Sequence, residues 1–157
     1  MRILVVSDTH RRASRLIDVM RKHQNADLLI HLGDGEEDLA FARYEFPTIA
    51  IRQVRGNCDF GSSLPITDTF SVDGVKIFFA HGHTYNVKTS SERIEAAAIS
   101  NGAAVCLFGH THCPITKYHD GLYVMNPGSL GHPRDGEPTY GLLDIVPAGI
   151  SMNIVKY

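Results

Sequence analysis

The chain has 157 residues and a mass of 17.3 kDa, about the size of one ordinary domain. With 43% hydrophobic and 20% charged residues it can bury a sizeable core, which excludes a disordered, collagen-like or coiled-coil chain. Fifteen Lys and Arg against seventeen Asp and Glu leave a formal net charge of -2, so nothing global attracts the chain to nucleic-acid backbones or anionic membranes.

Arg2 to Ser7 is apolar and rich in β-branched residues, which predicts a buried strand. Arg12 to Lys22 then places Leu16, Ile17, Val19 and Met20 at helical spacing. Asp27 to Leu32 reads as a second strand, Glu36 to Tyr44 as a short helix, and Thr48 to Arg55 as a third strand. Strands alternating with helices imply βαβ units on a largely parallel sheet. The second half changes style. Asp73-Gly74 between Thr69–Val72 and Val75–Phe79 signals a hairpin. Ser91 to Ser100 reads as a helix, with Ser90 or Ser91 as N-cap and Asn101-Gly102 as its stop. Ala103 to Phe108 is another strand, and two further hairpins turn near Asp120-Gly121 and near residues 147–149. No repeat, low-complexity tract or linker interrupts the chain, so a single domain over 1–157 is expected. Its class is α/β, with two packed sheets flanked by helices.

Cys58, Cys106 and Cys113 are odd in number and form no C-x-x-C pair, which suits a reducing compartment. The amino-terminal apolar run from Ile3 to Val6 is too short for a secretory signal or a membrane span. A cytoplasmic protein without membrane contact is expected. The hairpin-rich second half offers a sheet surface for a homo-oligomer, a dimer or a tetramer.

One pattern recurs along the chain: a polar cluster follows each apolar strand. The clusters are Ser7-Asp8-Thr9-His10, Gly33-Asp34-Gly35, Gly56-Asn57-Cys58-Asp59, His81-Gly82-His83 and Gly109-His110-Thr111-His112. In open α/β sheets ligands bind beyond the carboxyl ends of the strands, so these clusters can converge on one site. Asp8, His10, Asp34, Asn57, His81, His110 and His112 all carry oxygen or imidazole donors, suited to a borderline divalent metal. In Asp8/His10 and His110/His112, alternate side chains can point the same way and grip one ion. Seven ligands exceed one tetrahedral site but fit two ions sharing a carboxylate. Each cluster alone is ordinary turn or histidine chemistry; their joint occurrence at strand ends is what argues for metal.

That ordered set, D-x-H, G-D, G-N, an H and G-H-x-H, resembles the calcineurin-like metallophosphoesterase superfamily, in particular its small bacterial and archaeal phosphodiesterases. The resemblance runs in motifs from Ser7 to His112. It implies a four-layer αββα sandwich of two mixed sheets with a dinuclear site at its edge. Asp8, His10 and His112 would then hold the first ion, Asp34 would bridge, and Asn57, His81 and His110 would hold the second. Manganese is the first expectation, with Fe, Co, Zn or Ni also admitted. The family carries a His after the Asn, and this chain carries Cys58 there. A thiol is a poor general acid beside an imidazole, and a packed small residue is the plain reading of Cys58.

The chemistry implied is hydrolysis of a small-molecule phosphodiester by a hydroxide bridging two ions roughly 3.5–4 Å apart. Asn57 and His81 would serve that chemistry at the second ion, with Asn57 offsetting transition-state charge. Asp59, His83 or a metal-bound water would protonate the leaving group, and Arg11 or Cys58 would touch the substrate. The rivals are a phosphomonoesterase at the same site and a non-catalytic scaffold, since the retromer scaffold subunit is similar in fold. A nuclease would need a basic track that the net charge does not supply. His31 is expected beside the ligands rather than among them; His23, His119 and His132 are expected at the surface without a role. Asn126 to Ser129 is expected to pack near the site.

Overall fold

The computed structural model describes residues 1–134 and 136–157. In chain order the elements are β1 (Arg2–Val6), α1 (Ala13–Lys22), β2 (Leu28–His31), α2 (Glu36–Glu45), β3 (Ala50–Gln53), β4 (Thr67–Val72) and β5 (Val75–Ala80). A 3-10 turn at His83–Tyr85 leads to α3 (Glu92–Ser100), then β6 (Val105–Phe108), β7 (Ile115–His119), β8 (Leu122–Asn126), β9 (Thr139–Val146) and β10 (Gly149–Lys156). One sheet runs β10-β9-β1-β2-β3 and the other β4-β5-β6-β8-β7. Both are mixed: β1, β2 and β3 are parallel, as are β5, β6 and β8, while the hairpin partners run antiparallel. The expected α/β sandwich of two sheets flanked by helices is the observed fold.

The period of two along each strand explains the layering. Ile3 and Val5 of β1 face the second sheet, where they meet Ile77, Phe79, Val105 and Leu107. Leu4 and Val6 face the other way, onto Leu16, Val19 and Met20 of α1 and Leu39 and Ala42 of α2. On the second sheet Phe78, Ala80, Cys106 and Phe108 point outward to Ile94 and Ala98 of α3. Parallel strands apolar on both faces therefore demand cover on both sides, and the result is helix, sheet, sheet, helix.

Element boundaries differ from expectation where pairing, rather than composition, decides. β3 is two residues shorter at each end than the apolar run, because it is an edge strand paired only along the four residues of β2. At α3 the hydroxyl that meets the helix start is Ser90, whose Oγ accepts the Glu92 N–H at 3.2 Å. Ser91 instead accepts Lys117 Nζ at 2.9 Å.

Helix α2 lacks a capping side chain of its own. Its cap comes from 23 residues downstream: the Asp59 carboxylate accepts the N–H groups of Asp34 (2.8 Å), Gly35 (2.9 Å), Glu36 (3.0 Å) and Gly56 (2.7 Å). An anion at a helix amino terminus answers both the orphan donors and the dipole. Burial pushes this carboxyl up, and the donors, led by Glu36 and Gly56, outweigh it and hold Asp59 below the usual carboxylate range.

Two stability outcomes follow from this packing. Phe79 is wholly buried between the sheets and packs edge-on against Phe70 at 6.2 Å. Phe79→Ala lowers the unfolding free energy by about 3–5 kcal/mol, whereas Phe60→Ala, at a side chain 91% exposed, changes it by less than about 0.5 kcal/mol; urea titration reads both. Asp59→Asn costs about 1–3 kcal/mol at pH 7, where the charged acceptor is fully present. Because the folded value of Asp59 is depressed, its contribution is present above about pH 4 and vanishes as pH falls through that lower value. Wild type and Asp59→Asn therefore separate in urea midpoint at neutral pH and converge as pH falls through the depressed Asp59 value.

Candidate metal centre

Five strand ends meet at one edge of the sandwich, where the backbone of each loop is tied to the next. Asp8 N–H donates to Gly33 O at 3.0 Å, His10 N–H to Asp34 O at 3.1 Å, and Gly109 N–H to His81 O at 3.0 Å. Asp8, His10, Asp34, His110 and His112 all lie in the left-handed region, with φ of 54°, 43°, 57°, 66° and 61°. Each D-x-H or H-x-H pair was expected to point one way in an extended or turning segment. The pairs turn on left-handed residues, a conformation that costs about 1–3 kcal/mol per non-glycine residue. Two glycines make room for these turns. A Cβ on Gly56 would lie 2.0 Å from Asp34 Oδ1, and one on Gly109 would lie 1.9 Å from Ser7 Oγ.

The seven residues expected as ligands come together, and their donor atoms fall into two groups. Asp8, His10 and His112 form one, and Asp34, His81 and His110 another, each with its donor atoms within 4.8 Å of one another. His10 Nε2 is 3.9 Å from Asp34 Oδ2, so Asp34 stands between the groups, and Asn57 Oδ1 joins the second at 3.2 Å from His81 Nε2.

Hydrogen bonding outside the ring fixes which atoms face inward. His81 Nδ1–H donates to Leu32 O at 2.8 Å, and His112 Nδ1–H donates to His132 O at 2.5 Å. The neutral tautomer then leaves a bare Nε2 lone pair on each. Those lone pairs point at carboxylate acceptors: His81 Nε2 lies 3.4 Å from Asp34 Oδ2, and His112 Nε2 lies 3.1 Å from Asp8 Oδ1. Each carboxylate likewise spends one oxygen on the protein. Asp8 Oδ2 accepts from Ser7 Oγ (2.5 Å) and His110 N (3.0 Å), and Asp34 Oδ1 accepts from Cys58 N at 2.7 Å. Asp8 Oδ1 is buried with no hydrogen-bond partner. Acceptors facing acceptors at these distances repel unless a cation or shared proton lies between them. The donor set therefore fits divalent metal ions.

The electrostatics say the same thing in protons. Burial pushes the Asp8 carboxyl up, yet His10 and His112 outweigh it and hold it far below its ordinary value. Asp34, opposed by the same desolvation, is drawn down to about 2 chiefly by His81. Burial lowers His81, but Asp34 and Asp8 more than reverse that and raise it. The neighbouring Asp8 carboxylate raises His112. His110 goes the other way, to about 4, through burial and the neighbouring His81 charge. The ring thus recruits positive charge wherever two carboxylates can see it.

Surrounding residues hold the ring in place. His31 is buried and pushed down to about 4 by desolvation, so it is neutral; it accepts Gly33 N–H at 3.1 Å and donates to Thr9 Oγ1 at 3.2 Å. Thr9 in turn donates to Asp38 Oδ2 at 2.5 Å, which also takes the Arg11 N–H at 3.0 Å. The segment after β8 packs against the site as expected. Asn126 Nδ2 donates to Gly109 O and Thr111 Oγ1, both at 2.9 Å, and Ser129 Oγ donates to Asp8 O at 2.8 Å. His132, expected to have no role, stacks on His10 with ring centroids 4.9 Å apart and a 12° tilt. The signal for it was position: it lies three residues beyond a loop already assigned to the site.

A cavity of about 680 Å³ opens beside the first group, lined by His10, Asp34, Glu36, Glu37, Cys58 and Phe60 among others. Cys58 is exposed on its wall rather than packed, and burial with the nearby Asp34 pushes its thiol up to about 11. Arg11 also lines it, 89% exposed and 4.0 Å from Glu37. Asp59 reaches the cavity, but both its oxygens carry backbone N–H donors. His83 leans on the second group, its ring 5.3 Å from His81, with Nδ1 buried and unpartnered. Among the described residues no helix is long and apolar enough to cross a membrane.

Known proteins agree with this architecture. Residues 1–147 match the model of the calcineurin-like phosphoesterase superfamily domain. The chain is 31% identical over 135 residues to the probable metallophosphoesterase YsnB of Bacillus subtilis, covering 85% of this chain and 78% of YsnB. It is 29% identical over 160 residues to the phosphodiesterase MJ0936 of Methanocaldococcus jannaschii, covering 92% and 93%. The crystal structure of a predicted phosphoesterase from Streptococcus pneumoniae superposes with a TM-score of 0.84 at 26% identity, over 99% of this chain and 88% of the other. With a metal-suited ring at the strand ends and that match over most of its length, the chain belongs to the calcineurin-like phosphoesterase superfamily.

Proposed function

We propose that this chain is a cytoplasmic, metal-dependent phosphodiesterase acting on a small molecule, with two divalent ions held at the strand-end ring. The observation that carries the reading is the facing of bare imidazole nitrogens and carboxylate oxygens in two groups that meet at Asp34. Asp8, His10 and His112 would hold one ion, Asn57, His81 and His110 the other, and Asp34 both. Manganese is the ion to assay first, and Fe, Co, Zn or Ni suit the same donors. Such a pair of ions, when bound, supplies hydroxide from water at neutral pH and neutralises the phosphoryl oxygens.

The protein's own groups divide the remaining work. Leu32 O and His132 O hold the His81 and His112 rings in the tautomer that presents Nε2 inward. Asn57 presents its Oδ1 to the second group, while its amide N–H, which donates to Cys58 Sγ at 3.3 Å on the cavity wall, would turn to the phosphate and offset charge gained in the transition state. Asp59 shapes the loop and does not supply a proton, since four N–H groups keep its carboxylate ionised. Preference for a diester over a monoester is supported by the cavity wall. Glu36 and Glu37 lie on it, and Arg11 there is already beside Glu37, so the wall itself repels a dianionic monoester more than a monoanionic diester.

Hydrolysis of a generic aryl phosphodiester beside its monoester, with metal-free protein and after adding Mn²⁺, tests this directly. Mn-dependent diester turnover is expected. It falls by at least about 10³-fold in Asp34→Asn, which removes the carboxylate common to both ions, while far-ultraviolet circular dichroism stays unchanged. Cys58→His raises turnover of the poorer leaving groups, because an imidazole restores a general acid worth about 10²-fold or more. Monoester turnover in preference would replace the diester reading. A folded protein with no turnover under any of these ions would leave the fold as a binding scaffold.

A further inference from the structure

We propose that the thiol of Cys58 is a ligand of the first ion, giving that position a preference for thiophilic divalent ions such as Zn²⁺, Co²⁺ or Cd²⁺ over Mn²⁺. The inference rests on the two-metal reading and adds a ligand to it. Besides the two groups already described, a third set of donor atoms lies within 4.8 Å of one another: His10, Asp34 and Cys58 Sγ. That is close to the span one ion bridges with bonds of about 2.3 Å to sulfur and 2.0–2.2 Å to nitrogen or oxygen. Rotation of an exposed side chain closes the difference.

Three further features point the same way. The Cys58 backbone is pinned to the site by its N–H on Asp34 Oδ1 at 2.7 Å, so the thiol stays over the gap rather than following a loose loop. His10, which belongs to this set, also belongs to the first group, where its Nε2 lies 3.7 Å from Asp8 Oδ1, a wholly buried acceptor without a hydrogen-bond partner. The side chain is exposed on the cavity wall, and its Sγ accepts the Asn57 amide N–H at 3.3 Å, so the sulfur is held beside the ring by a candidate ligand and not by packing. The negative groups that keep the free thiol protonated, Asp34, Asp59 and Asp8, are outweighed once a divalent cation sits among them, for a coordinating thiol is deprotonated outright. Its proton passes to buffer as the sulfur–metal bond forms. Thiolate favours soft and borderline ions, while the carboxylates and imidazoles alone would accept manganese as readily.

Cobalt supplies a readout independent of catalysis. Metal-free wild type, Cys58→Ser and Cys113→Ser are loaded with Co²⁺ and their near-ultraviolet spectra recorded, and Zn²⁺ and Mn²⁺ are titrated into each by calorimetry. A sulfur-to-cobalt charge-transfer band is expected in wild type and Cys113→Ser and absent from Cys58→Ser. Zn²⁺ affinity is expected to fall about ten- to a hundredfold in Cys58→Ser, with Mn²⁺ affinity near the wild-type value. Cobalt bound without that band, or equal Zn²⁺ affinity in wild type and Cys58→Ser, overturns the thiolate ligand and leaves the two-metal reading standing. Failure of wild type to bind any of the three ions overturns both.

Discussion

Two carboxylates, Asp8 and Asp34, are almost wholly withdrawn from water and yet held ionised, and the rest of the site answers that demand. Isolated buried anions would neutralise themselves by taking protons. Here each has one oxygen anchored by protein N–H or O–H groups, and the other turned toward a ring of histidines. The imidazoles are aimed in turn by carbonyls on the outside, at Leu32 and His132. Charge that would be intolerable in an apolar core becomes a standing attraction for cations at the rim of one.

Holding that arrangement costs backbone energy. Five of the candidate ligands adopt left-handed conformations that only glycine takes freely, and such residues persist where their surroundings over-determine them. The sandwich provides those surroundings. All the candidate ligands but Asn57, which follows the exposed edge strand β3, come soon after β1, β2, β5 or β6, parallel strands whose side chains are locked on both faces, by the other sheet and by a helix. Loop-to-loop hydrogen bonds then tie the strand ends to one another before any ligand side chain is considered. Rigid strands and strained turns form one device: the first sets where each loop begins, and the second sets which way its side chain faces.

This division explains what was legible in the sequence. Layer order could be read because apolar runs such as Ile3–Val6 and Val105–Phe108 are buried on both faces, a property carried by composition. Candidate ligands could be found because polar residues immediately after such runs have no other reason to gather there. The left-handed turns were not legible, since Asp and His at those positions look like ordinary loop residues. Nor was Asp59 as the cap of α2, which joins residues 23 to 25 apart through backbone donors that no motif records. His132 was hidden for a similar reason: its carbonyl and the flat face of its ring are what matter, and neither depends on a pattern of neighbours.

The Asp59 clamp also decides how the chemistry and the choice of substrate are linked. The candidate ligands sit on strand ends, and the cavity wall beyond His10 and Asp34 belongs to the start of α2 and the loop around Cys58 and Phe60. A loop of that kind could vary or move without disturbing the ring if nothing joined them. Asp59 joins them, because the carboxylate that caps α2 also takes the N–H of Asp34, the residue common to both ligand groups, and of Gly56 beside Asn57. Displacing the wall therefore displaces Asp34. A substrate that pressed on Glu36 or Phe60 would be felt at Asp34, so the wall can select substrates only within shapes that leave the clamp closed.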